Sequence, residues 1–155
     1  MKQEGVEEVG LSAAYVLQYA YKRTLGPVLS RFFTGLRDGC ILGIRASDGR
    51  VLVPPQEYDP VNAASLSEMV EVRDTGVVTT WSWVAAPREK HPLDSPFAWA
   101  LIQLDGADTA MLHVVEAASM DVMETGMRVK ATWATQRVGY MTDIVSFHPE
   151  EGGHE

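Results

Sequence analysis

The chain carries, from Pro96 to Val115, the stretch PFAWALIQLDGADTAMLHVV, which decides the fold class. Two apolar runs, Phe97 to Leu104 and Thr109 to Val115, flank the turn residues Asp105-Gly106-Ala107-Asp108. Short apolar runs on either side of a turn that contains glycine are typical of a β-hairpin. The sequence therefore predicts two antiparallel strands here.

Further strands are predicted on both sides of this hairpin. Met69 to Arg73 leads into a long run from Val77 to Ala85, and Met127 to Trp133 and Thr142 to Phe147 follow the hairpin. The five strands from residue 77 onward, with a pause before the fourth, fit a small closed barrel better than a sandwich. The predicted fold class is mainly β, with a five-stranded OB-type barrel.

One amphipathic helix is predicted ahead of the barrel, from Gly26 to Asp38. Pro27 suits a first helical turn and Gly39 suits a helix stop, and apolar residues recur between them at one-turn spacing. The preceding segment, Leu11 to Arg23, fits a helical face and a strand alternation equally well. Its secondary structure stays open at this point.

A second hairpin follows the helix. Its strands are the short apolar runs Cys40 to Arg45 and Arg50 to Val53, and Asp48-Gly49 lies in the turn between them. Pro54-Pro55 ends the second strand, and residues 56–67 are expected to be irregular. The chain is thereby divided into a flexible tail (1–10), a helical segment with a hairpin (11–67), the barrel (68–148) and a second tail (149–155).

Composition restricts the class of function. The 155 residues have a formal net charge of −8, which argues against a general nucleic-acid binder. Cys40 is the single cysteine, so neither an intrachain disulfide nor a four-thiolate zinc site can form. No apolar run approaches the ~20 residues of a membrane helix, and the first ten residues lack a signal-peptide pattern. We expect a cytoplasmic protein that makes no membrane contact.

The sequence predicts no catalytic residue and no metal ligand. Cys40 follows a helix C-terminus, where the helix dipole raises the pKa of a thiol. Asp105 and Asp108 are expected in a turn for backbone reasons alone. The histidines lack metal-ligand spacing, and the one in a strand is expected to be half-exposed; they are His91, His113, His148 and His154.

Two groups of side chains are candidates for binding. Arg31 and Arg37 on the helix, with Arg45 and Arg50 on the hairpin, would present a cationic surface to a pyrophosphate if the two elements pack together. Solvated arginines beside apolar faces are the favoured alternative.

The second group is Trp81 and Trp83, which are two residues apart and are therefore predicted to share a strand face with Val77 and Thr79. Exposed tryptophans on an OB barrel can stack bases. The acidic charge favours core filling or a protein interface instead.

An ordered set of motifs resembles a known family. The motifs are Gly26 to Gly39, Leu42-Gly43-Ile44-Arg45, Gly49 to Pro55, Asp74 to Val78, Pro96 to Gly106, Gly126 to Val129, and Phe147-His148-Pro149. From Thr24 to Pro149 this set resembles the acyl-CoA-associated zinc-ribbon/OB-fold family catalogued as domain of unknown function 35.

The chain departs from that family at its metal site. The family commonly has two Cys-x-x-Cys pairs, where this chain has Arg45-Ala46-Ser47-Asp48 and Asp59-Pro60-Val61-Asn62. Carboxylate and amide oxygens hold structural zinc poorly. We therefore predict a metal-free hairpin that is held by packing around four residues: Ile44, Val51, Val53 and Tyr58.

The resemblance also implies a function. Members without the cysteines are similar to accessory modules of steroid side-chain acyl-CoA aldolases, in which a thiolase-fold, lipid-transfer-like partner carries the catalytic residues. The expected protein is a non-catalytic subunit of a hetero-oligomer that binds no cofactor itself, with a CoA ester as the substrate of the complex and an enoyl-CoA hydratase-type chain as a further partner. The candidate interface residues are Pro54, Pro55, Tyr58, Trp81 and Trp83.

Two other functions stay open. A free-standing acyl-CoA-binding module would use the four arginines for the CoA phosphates. A single-stranded nucleic-acid-binding OB fold is the weaker alternative because of the net charge.

Overall fold

The structure, a computed structural model, describes residue 10 and residues 12–150. Most of both predicted tails therefore lies outside the described residues, as does Leu11. No helix or strand is formed between residues 12 and 26, so neither alternative for Leu11 to Arg23 is found in the part that the structure describes.

The predicted helix is confirmed as α1, Pro27–Asp38. Its buried face packs on the core through Val28, Phe32 and Leu36. Gly39 ends the helix with φ 84°, a left-handed conformation that glycine adopts without steric cost. The backbone N–H groups of Gly39 and Cys40 then donate to the carbonyl groups of the last helical turn.

A three-stranded antiparallel sheet follows, in the order β2-β1-β3. Strands β1 (Ile41–Arg45) and β2 (Val51–Leu52) form the predicted hairpin, and β3 (Met69–Val72) pairs with the other edge of β1. The predicted barrel segment, residues 68–148, includes β3, whereas the strand pairing of β3 joins it to the hairpin. The division of the chain at residue 67 stays a prediction.

Five strands then close a barrel in the order β4-β5-β6-β8-β7, which confirms the predicted fold class. All neighbours are antiparallel except β6 and β8, which are parallel. Strand β8 begins two residues later than predicted, because a 3₁₀ turn (Met141–Asp143) precedes it. The barrel strands are β4 (Thr75–Val84), β5 (Phe97–Leu104), β6 (Ala110–Val115), β7 (Arg128–Trp133) and β8 (Ile144–Pro149).

A β-bulge in β4 corrects the prediction for the tryptophan face. The register with β5 shifts between Val78 and Thr80, so Thr79 is an extra residue in β4. Val78 is fully buried, Thr79 and Thr80 are both exposed, and Trp81 and Trp83 pack against the barrel core. The two tryptophans share a face with each other, but the prediction that Val77 and Thr79 lie on that face was wrong.

The sheet and the barrel are joined by the turn between β5 and β6. The Asp108 carboxylate accepts a hydrogen bond from the Val51 backbone N–H at 2.8 Å. Thr109 Oγ1 accepts from the Val53 N–H at 2.8 Å and lies 3.0 Å from the Val53 carbonyl oxygen, to which it donates. Because Phe32 and Leu36 of α1 pack in one cluster with the barrel residues, helix and barrel share a core. Within the described residues, no helix combines the length and apolar character that a membrane crossing requires.

Candidate functional site

Cys40 lines a cleft of about 860 Å³ between the three-stranded sheet and the barrel. Burial raises the pKa of its thiol, and the nearby carboxylates of Glu71 and Asp38 raise it further. The direction agrees with the prediction, although the main cause is burial. A protonated thiol is a weak nucleophile, so this cysteine is poorly suited to covalent catalysis.

The same cleft is lined by Arg128 and Asp105, which form the shortest ion pair that the structure describes. Arg128 donates to both carboxylate oxygens of Asp105 at 2.7 and 2.6 Å, and its Nε lies 3.2 Å from a Glu150 oxygen. Hydrogen bonds from Arg128 and Thr75 lower the pKa of Asp105 to about 2. This carboxylate therefore stays ionised at neutral pH and fixes the turn between β5 and β6, and it is unsuited to proton transfer.

The two positions of the family's metal pairs are joined by a carboxylate. Asp59 is buried, and it accepts hydrogen bonds from the backbone N–H groups of Ser47 and Val61, both at 2.7 Å. Asn62 donates to the Ser47 hydroxyl at 3.2 Å. These oxygens are already used by the protein itself, and no group of three or more His, Cys, Asp or Glu side chains is placed to hold a metal among residues 12–150. The residues therefore do not fit a zinc ion.

Packing around this hairpin is only partly as predicted. Ile44, Val51 and Val53 are buried, as expected. Tyr58 is 63% exposed, so its inclusion in the packed group was wrong. The loop backbone turns this side chain to solvent while Asp59 points inward to its two donors.

The four candidate arginines do not form one free cationic surface. Arg45 pairs with Glu68 at 2.8 Å, Arg50 with Asp48 at 2.7 Å and Arg37 with Asp38 at 3.1 Å. Arg31 donates a hydrogen bond to the carbonyl group of Ser67. Ser67 directly precedes Glu68, the residue that pairs with Arg45. A role of these arginines with CoA phosphates stays a prediction, and three of the four already pair with carboxylates.

The candidate interface residues differ in what they offer a partner. Pro54 and Tyr58 are exposed, whereas Pro55 is buried. Trp81 and Trp83 are half-buried because they complete the barrel core. Tyr58 is 63% exposed, more than either tryptophan.

A larger apolar surface lies where the sequence pattern was ambiguous. Residues 12–25, here called the arm, are exposed and form no hydrogen bond through their backbone groups to the described residues. The arm contains no acidic residue and has two cationic ones, Lys22 and Arg23. Its exposed large apolar side chains are Tyr15 (84%), Val16 (81%), Leu17 (61%), Tyr19 (75%), Tyr21 (81%) and Leu25 (42%). The signal in the sequence was the clustering of three tyrosines within seven residues of a segment whose apolar pattern fits a helix and a strand equally well.

The prediction for His113 also needs correction. Its side chain is 8% exposed and packs edge-on against Phe147, so the prediction of a half-exposed histidine was wrong. Side chains two residues apart lie on the same face of a strand, so the ring lies on the inner face of β6 together with Met111 and Val115. Burial lowers the pKa of His113, which keeps the ring neutral.

Most of the barrel sequence matches a known domain family. Residues 69–134 match the family model described as the C-terminal OB-fold domain of ChsH2. The barrel is an OB fold. The match covers β3 to β7 and confirms the resemblance inferred from the sequence at the level of this domain.

Two solved structures are similar over most of the chain. One is a DUF35-family protein of unknown function from Sulfolobus solfataricus, with 21% identity, a TM-score of 0.62, and 81% of this chain and 85% of that chain covered. The other is described as the Ltp2-ChsH2(DUF35) aldolase, with 20% identity, a TM-score of 0.60, and 83% and 98% covered. At these identities the similarity establishes the fold. No curated protein matches the chain.

Proposed function

We propose that this protein is an accessory OB-fold subunit of an aldolase complex. Its partner is a thiolase-fold, lipid-transfer-like protein that carries the catalytic residues, and the reaction of the complex is retro-aldol cleavage of a bulky CoA ester such as a steroid-CoA. An enoyl-CoA hydratase-type chain is the expected further partner. The similarity to the OB-fold domain of ChsH2 supports this proposal.

The arm is the observation in this molecule that carries the proposal. Six large apolar side chains stand in solvent on a segment without regular structure, directly before α1. Such a segment gains stability when its side chains are buried and its free backbone groups are paired in a complex.

The chemistry of the described residues supports a non-catalytic role. The thiol of Cys40 is protonated, Asp105 is held ionised by Arg128, and His113 is buried among apolar side chains. None of these groups is hydrogen-bonded to another of them in the arrangement of a nucleophile and its base. Catalytic groups supplied by a partner fit this arrangement.

The test is co-purification followed by an activity assay. The tagged chain is isolated from its own cell extract, and retained proteins are identified by mass spectrometry. We expect a lipid-transfer-like protein in near-stoichiometric amount, and cleavage of a steroid-CoA aldol adduct by the reconstituted pair at a rate well above that of either chain alone. Recovery of the chain by itself, or full activity of the partner without it, would overturn the proposal.

A further inference from the structure

The exposed apolar side chains of this protein are concentrated in four segments, which are the arm, β5, β6 and residues 134–145. Among the described residues, every exposed large apolar side chain belongs to one of these segments except Tyr58, Val61, Met120 and Val122. Outside the arm, the members are Leu101, Leu112, Val138, Tyr140 and Val145. These five side chains and the six of the arm are here called the apolar band.

The members of the band adjoin one another. Leu25, at the end of the arm, lines one pocket together with Val138. The 3₁₀ turn that follows Tyr140 lines a second pocket, of about 380 Å³, together with Leu112 and Val145. Leu112 is the direct cross-strand neighbour of Leu101, and such neighbours lie on the same face of a sheet. The band is therefore continuous from the arm to the outer face of β5 and β6.

Asp143 holds the loop in the middle of the band. Its carboxylate is buried and accepts hydrogen bonds from the backbone N–H groups of Val138, Gly139 and Tyr140 at 2.9, 2.7 and 3.2 Å. The backbone of this loop is thereby fixed while the Val138 and Tyr140 side chains stand in solvent. Because the loop is already ordered, a partner that binds to it loses little conformational entropy there.

The charge of the band is opposite to that of the whole protein. The chain has a formal net charge of −8 and 21 acidic residues, but the four segments contain only one of these, the buried Asp143. Their cationic residues, Lys22, Arg23 and Arg137, are all exposed. A two-fold symmetric contact through the band would set these cations against their own copies. The band therefore fits a different protein, with an apolar face and carboxylates beside it.

We propose that the apolar band binds the lipid-transfer-like partner, through a partner surface that is apolar at its centre and carries carboxylates opposite Lys22, Arg23 and Arg137. This inference rests on the proposed function, and it joins the arm, the 134–145 segment and the outer face of β5 and β6 into one interface. A small molecule in the 380 Å³ pocket would leave most of the band exposed, whereas a protein surface covers side chains over such a length.

The first test measures the Kd between the purified full-length chain and the lipid-transfer-like protein that co-purifies with it. Leu112→Glu places a charge within the band, at a 57% exposed position, and should raise the Kd about tenfold or more. Val122→Glu, at a 43% exposed position outside the band, is the matched control and should leave the Kd unchanged. Both positions are exposed, so both variants are expected to fold, which their urea midpoints check.

The second test concerns the charge of the band. Lys22→Glu lies in the arm, and Lys130→Glu changes the net charge equally at an exposed position on β7. We expect Lys22→Glu to raise the Kd about 2- to 10-fold at low salt and Lys130→Glu to have less effect. The difference should shrink as the salt concentration rises.

Amide hydrogen exchange of the wild-type complex provides a readout that needs no variant. We expect slower exchange in residues 110–115 and 134–145 as well as in the arm when the partner is bound. Wild-type affinity of Leu112→Glu, equal effects of the two lysine variants, or protection confined to the arm would each overturn this inference and leave the proposed function in place. Failure of the wild type to bind the partner would overturn both. A wild-type dimer that Leu112→Glu dissociates would assign the band to a second copy and overturn the inference.

Discussion

The carboxylate of Asp59 connects two loops that approach each other beside the hairpin. One oxygen accepts from the Ser47 N–H and the other from the Val61 N–H, and these hydrogen bonds lower the pKa of Asp59. In the family that this chain resembles, the same two loops carry the zinc cysteines. In this chain a buried carboxylate with two backbone donors therefore connects the two loops that a metal ion would connect in that family.

Asp59→Asn is expected to destabilise the protein. The new amide keeps one acceptor oxygen but sets an NH₂ group against a backbone donor, so one buried N–H loses its partner. The urea midpoint at pH 7 should fall clearly below that of the wild type. Asp94→Asn, at an exposed residue without hydrogen bonds among the described residues, is the matched control and should leave the midpoint unchanged.

The effect should depend on pH in a defined direction. Because the folded state lowers the pKa of Asp59 below 3.8, its stabilising contribution is complete above that pH and is lost as the pH falls further. The gap between wild type and Asp59→Asn should therefore close in acid. A chelator should leave the wild-type midpoint unchanged, and a large drop on chelation would show that a metal holds the hairpin.

His113 gives a second pH effect in a separate window. Burial lowers its pKa from 6.5, so the unfolded chain binds a proton first, and stability is lost as the pH falls below about 6.5. Between pH 7 and pH 5 the urea midpoint of the wild type should decline more steeply than that of His113→Phe. Equal slopes would contradict a neutral, buried ring.

At the scale of the elements, the end of α1 depends on one glycine. Gly39 has φ 84°, and β1 starts only two residues later, so the helix must stop and reverse there. Gly39→Ala should lower the free energy of unfolding by about 1–2 kcal/mol, because a Cβ disfavours the left-handed conformation. Gly39→Asn should cost less, since asparagine tolerates this conformation better, and chemical denaturation of the three proteins gives the comparison. Equal stability of all three would contradict this account.

The elements also show how far the sequence could be interpreted. Helix α1 and the two hairpins were predictable because Pro27, Gly39, Asp48-Gly49 and the 105–108 turn act locally through backbone preferences. The pairing of β3 with β1 and the bulge at Thr79 depend on contacts between distant residues. An alternation rule carries no information about either, which explains the error on the tryptophan face.

The same limit applied to the candidate site. The strand pattern predicted the barrel, and a resemblance to a family identified the altered metal positions. Neither indicated that Asp59 joins the loops or that His113 is buried. Both facts follow from which backbone donors and which strand neighbours surround the side chain. The ion pairs of the arginines were likewise invisible until the carboxylates were placed in space.

At the scale of the whole molecule, we expect substitutions in the arm to change partner binding without changing the free energy of unfolding. The double variant Tyr15→Ser/Tyr19→Ser removes two side chains that are 84% and 75% exposed. Its free energy of unfolding should stay within about 0.5 kcal/mol of the wild type, since exposed substitutions rarely exceed this. Its co-purification with the proposed partner should be lost.

Trp81→Ala is the contrasting variant. It removes a side chain that packs against the barrel core, so it should lower the unfolding midpoint whether or not it weakens binding. Normal partner recovery with the double tyrosine variant would show that the arm is not the docking element. Loss of stability in that variant would show instead that the arm packs on its own chain.

Because Thr79 has no partner in β5, β4 can lose a residue at this position without a change in its pairing. Deleting Thr79 would leave Val78 opposite Ile102 and Thr80 opposite Leu101, the partners that they already have. Trp81 and Trp83 would therefore still point into the barrel after deletion of Thr79. Deleting Ser82 instead would turn one of them outward, so insertions and deletions among relatives should accumulate at the bulge and be rare elsewhere in β4.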